Sequence, residues 1–180
     1  VTLTSAANGL WSFTMPESST AISAAFYRDP NMPPVWSGTS SGEYYMGEGT
    51  EEDPYIITTG EELAYLAEQT NANTNLTKDK FFKLGADIYL NDQILDENYD
   101  LDIIPEHLWT PIGKDNNNSF QGHFDGQGHT ISGAYMVEEE GTSAFFGYVS
   151  NATISNLSLV DTYSEGVNAS GLVYSVGLKG

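Results

Sequence analysis

The first part of the chain alternates apolar and polar residues, as a half-buried β-strand does. Trp11, Phe13 and Met15 share one face of this predicted strand, and residues 21–27 are predicted to return as a second strand after a turn at residues 16–19. Two strands alone are marginally stable in water. Residues 1–28 are therefore predicted to form an N-terminal β-hairpin appendage, or the end of a small β-repeat domain.

Residues 29–50 show no such alternation and are rich in proline, glycine and serine. Residues of these types interrupt regular structure and are typical of flexible connections. The pattern predicts a linker over residues 29–50, followed by a second module over residues 51–180.

One amphipathic helix is predicted at the start of this second module. Thr59 and Glu62 have the capping-box spacing, in which a threonine hydroxyl and a glutamate satisfy free amide groups of the first turn. The apolar stripe at helical spacing consists of Leu63, Leu66, Ala67 and Thr70. The helix is predicted to end near residues 71–75, and its stripe must cover an apolar surface.

The rest of the chain shows short predicted strands, glycine turns and an internal repeat. Residues 130–133 recur at residues 153–156, an offset of 23, and residues 143–148 recur more loosely at residues 169–174, an offset of 26. Such periods are typical of solenoids, whose coils bury their apolar side chains by stacking. We predict coils of three short strands, with extra loop residues within residues 161–168. An antiparallel sandwich is the alternative.

Composition narrows the classes of partner. The chain has 25 acidic and six basic residues, a net charge of −19, which repels nucleic acid and anionic lipid surfaces. No apolar run is long enough to cross a membrane. The chain has no cysteine, which excludes thiol catalysis, disulfides and thiolate zinc sites.

Several acidic and histidine residues are candidates for chemistry. Asp125 and His129, in the segment Asp-Gly-Gln-Gly-His, could serve acid–base catalysis, but the same spacing is typical of a tight turn that an aspartate caps. His123 and His129 could form a metal pair, although no further ligand has the expected spacing. The three glutamates at residues 138–140 are predicted to form an exposed corner between coils.

Calcium and sugar binding are further possibilities. Acidic residues crowd the predicted insertion at residues 91–106, and their carboxylates could bind calcium, but the EF-hand pattern is missing and a solvated loop is the simpler interpretation. Tyr99 and Trp109 are candidate rings for stacking on a sugar. Motifs for serine hydrolases, nucleotide-binding loops and His-Glu-x-x-His metallopeptidases are absent.

A series of segments, taken in order, resembles a family of bacterial β-helical modules that carry the GLUG motif. These segments are residues 49–57, 62–66, 82–90, 109–113, 120–131 and 144–148. The sequence departs from the family at Phe145-Phe146-Gly147 and Gly171-Leu172-Val173, where Gly-Leu-Phe-Gly or Gly-Leu-Val-Gly is more usual. The resemblance implies a module of a large, multidomain cell-surface protein.

Together, these features predict an all-β fold, a short right-handed parallel β-helix with an N-terminal capping α-helix. We expect a non-catalytic extracellular module that serves adhesion or domain presentation, with a glycan or a host surface protein as partner and no required cofactor. A polysaccharide-degrading β-helix enzyme, either a hydrolase or a lyase, is one alternative. A passive structural spacer is the other.

Overall fold

The structure, a computed structural model, describes residues 33–177, together with the backbone of two short strands nearer the start of the chain. The chain divides into two compact units, residues 1–32 and residues 33–180. In the first unit, β1 (Thr4–Ser5) pairs with β2 (Trp11–Ser12) in antiparallel orientation. The predicted turn at residues 16–19 and the predicted strand at residues 21–27 lie outside the described residues.

The second unit is rich in β-structure and has one α-helix, α1 (Gly60–Ala72), in the described part of the chain. Its strands are β3 (Tyr55–Ile57), β4 (Phe81–Leu84), β5 (Ile88–Tyr89), β6 (His123–Asp125), β7 (Thr130–Ser132), β8 (Tyr135–Ser143), β9 (Phe146–Ser150), β10 (Thr153–Ser155), β11 (Ser158–Val160), β12 (Tyr163–Ala169) and β13 (Val173–Gly177). Short 3₁₀ turns occupy Thr74–Leu76 and Asn116–Asn118. The prediction of an all-β class is thus confirmed. No helix in the described residues is long and apolar enough to span a membrane.

Within the described residues, every pairing between strands of the second unit is parallel. The strands form four small sheets, with the orders β10-β6-β4-β3, β11-β7-β5, β12-β8 and β13-β9. Each strand therefore pairs with one that follows it much later in the chain and runs in the same direction. Parallel pairing of this kind needs a long return connection, which the chain provides by running through the other sheets before it comes back.

The register of these sheets corrects part of the predicted repeat. Ala169 pairs with Ser143, which confirms the offset of 26 at that point. Thr153, however, pairs with His123, and Ser158 pairs with Thr130, so the offsets there are 30 and 28 rather than 23. The Thr-Ile-Ser sequence recurs because each copy places an isoleucine between two more exposed hydroxyl residues, and this local pattern suits more than one position.

Two further details of the repeat also differ from the prediction. We call one run of the chain through the sheets a pass. The last two passes contain four strands each, β6–β9 and β10–β13, instead of the predicted three. The residues 138–140 lie within β8 instead of at a corner between coils. The pairing of β12 with β8 shifts register between Gly166 and Asn168, because β8 has extra residues that bulge toward solvent there.

The core is a continuous apolar cluster with a row of phenylalanines through it. Phe82 packs on Phe120 with ring centroids 6.0 Å apart, and Phe146 packs on Phe120 at 5.3 Å and on Phe124 at 5.5 Å. All four rings are buried. The register partners Phe82 and Phe124 lie side by side in the adjacent strands β4 and β6. Adjacent strands of this sheet therefore stack their aromatic side chains in the interior.

Helix α1 forms as the sequence predicts. Thr59 is its N-cap, and the Thr59 side chain accepts a hydrogen bond from the Glu62 N–H at 3.2 Å. The predicted stripe, which consists of Leu63, Leu66, Ala67 and Thr70, is buried. Its apolar members belong to the same cluster as Phe82 and Phe120, so the helix covers the core with this face.

The segment predicted as a linker over residues 29–50 is packed against the second unit from Pro33 onward. Val35 forms a parallel bridge with Tyr89, and Trp36 is buried in the core. The Ser41 N–H donates to the Glu61 carbonyl oxygen at 3.0 Å. Glycine and proline in this stretch therefore shape a fixed path, because the tryptophan fastens it to the apolar cluster.

Candidate functional site

A groove of about 560 Å³ opens beside helix α1. One wall is the helix, the second is the segment at residues 38–40, and the third is the segment at residues 108–114. Ligand sites are typically clefts of roughly 300–1,000 Å³ with apolar walls and a few polar groups. The groove has both the size and the mixed lining of such a site.

Two tryptophan rings lie at the base of the groove. The rings of Trp36 and Trp109 meet edge to face, with centroids 5.7 Å apart. Trp109 stacks on Phe145 at 4.9 Å and donates from Nε1 to the Phe145 carbonyl oxygen at 3.2 Å. Trp36 donates from Nε1 to the Thr39 carbonyl oxygen at 2.6 Å. Both indoles are thus fixed by stacking and hydrogen bonding.

The helix leaves space above these rings because its side chains are small there. Ala64 and Ala67 line the groove, and their spacing of three places them on one side of the helix. A larger residue at either position would fill the space. The open volume therefore depends on two alanines next to the leucines of the buried stripe.

The rim of the groove is polar and held in place. The Ser40 hydroxyl donates to the Glu68 carboxylate at 2.6 Å, and the Ser37 hydroxyl donates to the Glu61 carboxylate at 2.6 Å. Partial burial acts to raise the pKa of Glu61, but the hydrogen bonds from the Ser37 hydroxyl and N–H outweigh it and lower that pKa. These contacts fasten the segment at residues 37–40 to the helix.

On the opposite side, Asn71 fixes the segment that carries Lys114. The Asn71 side chain donates to the Pro111 carbonyl oxygen at 2.8 Å and accepts from the backbone N–H groups of Gly113 at 3.0 Å and Lys114 at 2.8 Å. The Lys114 side chain is exposed and makes no ion pair with any residue that the structure describes. The groove thus presents a carboxylate, Glu68, and an ammonium group, Lys114, on its rim.

The two rings predicted for sugar stacking lie in different environments. Trp109 lies among the residues that line the groove but is only 2% exposed, so almost none of its ring is accessible. Tyr99 is 83% exposed in the acidic insertion and does not line the groove. The structure does not bring Tyr99 and Trp109 together, and the burial of Trp109 argues against stacking of a sugar on its face.

The acidic insertion is an ordered loop. Leu95 forms an antiparallel bridge with Leu101, and the Asp161 carboxylate accepts from the N–H groups of Ile94 and Leu95, each at 2.9 Å. Asp96 accepts from the N–H groups of Asp100 and Asn98, and these bonds lower its pKa. Within residues 33–177, no three acidic or histidine side chains are grouped to hold a metal ion such as calcium.

The segment Asp-Gly-Gln-Gly-His forms the tight turn that was one of its two interpretations. Asp125 accepts from the Gln127 N–H at 3.0 Å and from the Asn156 side-chain amide at 2.9 Å, and the Asn156 bond is the main cause of its lowered pKa. The positive φ values fall at Gln127 (53°) and Gly128 (79°). Asp125 therefore caps its turn and links it to the next pass of the chain.

The two histidines proposed as a metal pair have separate partners. His123 stacks on Phe81 with centroids 4.4 Å apart, and its Nδ1 is hydrogen bonded to the Thr153 hydroxyl. His129 Nδ1 lies 3.2 Å from the Asp87 carboxylate. Asp87 also accepts from the Thr130 N–H at 2.9 Å, which is the main cause of the lowered pKa of Asp87.

A smaller depression, of about 320 Å³, is lined by residues of β4, β6 and β10. Its lining includes Lys83 and Asp125, which are register partners on adjacent strands, together with His123 and Glu51. This depression carries an acid and a basic residue from successive passes of the chain, which is the arrangement expected of a polysaccharide-degrading enzyme. Asp125 and His123 are, however, already engaged in the hydrogen bonds described above, with Gln127, Asn156 and Thr153.

Sequence reasoning missed most of the groove. Trp36, Glu68 and Lys114 come from three separate segments and meet only in the folded chain. The contact between Ser40 and Glu68 spans 28 residues, and the contact between Asn71 and Lys114 spans 43. The one available signal was the pair of alanines, Ala64 and Ala67, beside the apolar stripe of a predicted helix.

Comparison with known proteins finds similar segments in two much longer proteins. The chain is 35% identical over 135 residues to a protein of Evansella cellulosilytica named as a Gly-rich membrane protein, an alignment that covers 74% of this chain and 14% of that protein. It is 29% identical over 142 residues to Halomucin of Haloquadratum walsbyi, covering 73% of this chain and 1% of Halomucin. The chain thus spans a small part of each relative. No protein-family profile and no solved structure matches it.

Proposed function

We propose that this chain is a non-catalytic, ligand-binding module of an extracellular surface protein. In this proposal, residues 51–180 form a short right-handed parallel β-helix that α1 caps. Support comes from the parallel pairing of β3–β13 in four sheets. The offsets between paired strands in the last two passes are 26 to 30 residues, close to one solenoid coil.

Kinship with the GLUG-motif modules is part of the same proposal. One glycine of the segments that resemble this family, Gly147, is required by close packing of the backbone. A Cβ on Gly147 would lie 2.3 Å from the Gly113 carbonyl oxygen, so the two neighbouring passes approach too closely for any side chain at that position. The segment Phe146-Gly147 thus keeps the family's glycine where stacking needs it, although the residues before it depart from the usual motif.

The groove beside α1 is the observation that favours ligand binding over a passive spacer. A spacer needs only a continuous core and a solvated surface. This chain instead fixes two indoles, Trp36 and Trp109, beneath an open volume and orders a polar rim around it. Ordering in the absence of ligand reduces the entropy lost on binding.

Non-catalytic action is supported by how the candidate catalytic groups are used. Asp125, the acid of the smaller depression, is engaged in hydrogen bonds that hold its turn and is kept ionised by them. A general acid needs a raised pKa, not a lowered one. The alternative, a polysaccharide-degrading enzyme, has in its favour the pairing of Lys83 with Asp125 on one face.

The extracellular location rests on two observations. The net charge of −19 keeps the chain away from nucleic acid and anionic lipid. Similar segments occur in long proteins named as a Gly-rich membrane protein and Halomucin. We propose that this chain likewise serves within a larger multidomain protein, where the module presents its groove to a glycan or to a host surface protein.

The test is retention of the purified chain on an array of glycans and matrix proteins, with and without calcium, while the glycans are assayed for cleavage. We expect specific retention without cleavage and without a calcium requirement. Cleavage would establish the enzyme alternative, and in that case Asp125→Asn and His123→Ala should abolish it. If the chain is retained by no glycan and no matrix protein of the array, the result would favour the passive spacer and contradict the proposal.

A further inference from the structure

We propose that the groove beside α1 binds a neutral saccharide, an inference that rests on the proposed ligand-binding function and gives it a site and a ligand class. A sugar ring combines an apolar face of C–H groups with hydroxyl groups around its edge. The groove has the matching arrangement, an apolar base and a polar rim. Its volume of about 560 Å³ accommodates a short oligosaccharide.

The base of the groove supplies apolar contact without a polar group that would need a specific partner. The partly exposed methyl group of Ala64 lies there, backed by the buried Ala67 and by the two indoles, which are only slightly exposed. The indole N–H groups of Trp36 and Trp109 are already bonded to backbone carbonyl oxygens. The C–H face of a sugar therefore meets no unsatisfied donor there, whereas a strongly polar ligand face would lose its hydration without compensation.

The rim supplies hydrogen-bonding groups that suit hydroxyls. Glu68 accepts one hydrogen bond, from Ser40, and a carboxylate can accept several more. Lys114 is an exposed donor that forms no salt bridge with the described residues, although its charge interacts with the neighbouring Asp115 carboxylate. Because a sugar hydroxyl both donates and accepts, neighbouring hydroxyls can bond to the carboxylate on one side and to the ammonium group on the other.

Charge favours a neutral sugar over an acidic one. A single ammonium group, that of Lys114, faces the groove in a chain with a net charge of −19. A uronate or sialylated glycan would approach against this field and would place its carboxylate near Glu68. A neutral saccharide experiences neither penalty.

The experiment titrates neutral oligosaccharides built from glucose, galactose, mannose and N-acetylated hexosamines against the chain, with uronate oligomers and peptides as competitors of other classes. Two of the three tryptophans, Trp36 and Trp109, lie in the groove, so intrinsic fluorescence reports occupancy and calorimetry measures affinity. We expect a neutral saccharide to bind and to change the tryptophan emission.

Two variants and two matched controls locate the site. Ala64→Leu fills the groove and should weaken saccharide binding by about 10-fold or more by steric exclusion. Glu68→Ala removes the acceptor and should weaken it by about 10-fold or more, since a hydrogen bond to a charged group is worth that much. Ala169→Leu and Glu97→Ala make the same chemical changes at exposed positions outside the groove and should alter the affinity less than about two-fold. Circular dichroism and thermal unfolding check that each variant is folded.

The outcomes separate this inference from the function on which it rests. Saccharide binding that both groove variants leave unchanged would overturn the site while ligand binding stands. Binding of only acidic glycans or peptides, lost in Ala64→Leu, would overturn the ligand class. Failure of every glycan, matrix protein and peptide to bind would overturn the proposed function itself.

Discussion

The two ends of the second unit, α1 with β3 at one end and β10–β13 at the other, bury their apolar side chains to very different degrees. Near the first pass, Leu63 and Leu66 of α1 and Ile57 of β3 are fully buried. In the last pass, Leu159 is only half-buried, and Val167 is 82% exposed. The difference indicates that apolar side chains are best buried where a second element packs over them, as α1 packs over the core near β3.

The pairing of strands shows no such contrast, because β3 and β10 are the two outer strands of one sheet. Strand β6 pairs with β4 on one side and β10 on the other, whereas β10 pairs only with β6 among the described residues. An edge strand presents N–H and C=O groups that another chain can bind. An outer position is thus common to both ends, and it is the lower burial of β10–β13 that predicts a less stable part of the unit.

Truncation of one leucine in each region should produce the largest difference. Leu66→Ala removes a fully buried side chain and should lower the free energy of unfolding by about 2–5 kcal/mol, because it leaves a cavity in the core. Leu159→Ala, at a half-buried position of the last pass, should lower it by about 1 kcal/mol or less. Urea unfolding measures both, and equal losses would contradict the comparison.

Removal of the buried carboxylate at the start of α1 should have the next largest effect. Glu62 is fully buried, and its carboxylate accepts from the Thr58 N–H at 2.9 Å and the Thr58 hydroxyl at 3.0 Å. Glu62→Ala leaves these donors without a partner and should cost about 2–3 kcal/mol. The matched variant Glu61→Ala, at the neighbouring and more exposed acid, should cost less than about 1 kcal/mol. If the two variants unfold at the same urea concentration, Glu62 has no special role.

The capping box and the tight turn at Asp125 could be predicted because each is local in sequence. Thr59 and Glu62 are three residues apart, and Asp125 bonds to Gln127 two residues on. The stacking partners could not be predicted in the same way. Thr153 lies against His123 instead of Thr130 because an isoleucine between two hydroxyl residues is compatible with several positions, and only the packing of the whole core selects one.

The burial of Trp36 and Trp109 could not be predicted from the sequence for a related reason. Composition marks the segment around Trp36 as a linker, since glycine, serine and proline surround it. The buried Trp36 ring, together with the hydrogen bonds from Ser37 and Ser41 to Glu61, holds this segment in a fixed path despite its composition. Trp109 is likewise buried, and its stacking on Phe145 at 4.9 Å explains why a ring beside a predicted loop is 2% exposed.

Alkaline pH should selectively weaken the first pass through Tyr44. The Tyr44 ring stacks on Tyr55 with centroids 4.2 Å apart, and its buried hydroxyl has no hydrogen-bond partner among the described residues. Burial, with the nearby Tyr65 and Tyr55, raises the pKa of Tyr44. A raised folded-state pKa means that stability is complete below the ordinary pKa of about 10 and is lost as the pH rises above it.

The variant Tyr44→Phe tests this assignment. It removes an unsatisfied buried hydroxyl and should change the free energy of unfolding at pH 7 by no more than about 1 kcal/mol, in the stabilising direction. It should also flatten the decline in stability between pH 10 and pH 12. Tyr99→Phe, at an exposed ring, is the control and should leave that decline as it is. An unchanged alkaline profile in Tyr44→Phe would place the sensitive group elsewhere.

A smaller effect is expected at acid pH, where the link between the last two passes titrates. The side-chain bond from Asn156 is the main cause of the lowered pKa of Asp125. Because the pKa of Asp125 is lower in the folded chain, its ionised carboxylate stabilises the fold at pH values above the ordinary pKa of 3.8. This contribution to stability is lost as the pH falls through the folded-state pKa. Asp125→Asn should therefore reduce the acid dependence of stability below about pH 4, measured by thermal unfolding, and an unaltered dependence would exclude this link.

The smallest change in stability is expected at the exposed end of the last pass. Val167→Lys and Val176→Lys alter side chains that are mostly exposed, so each should change the free energy of unfolding by less than about 0.5 kcal/mol. We expect any self-association through these edge strands to be weaker in both variants, because a lysine on an edge strand hinders pairing with another strand. Sedimentation velocity at increasing concentration measures the association, with Lys78→Gln, at an exposed lysine outside the last pass, as the control. Association that the two valine variants leave unchanged would mean that the last pass is not the adhesive edge, and that the contrast between the two ends concerns packing alone.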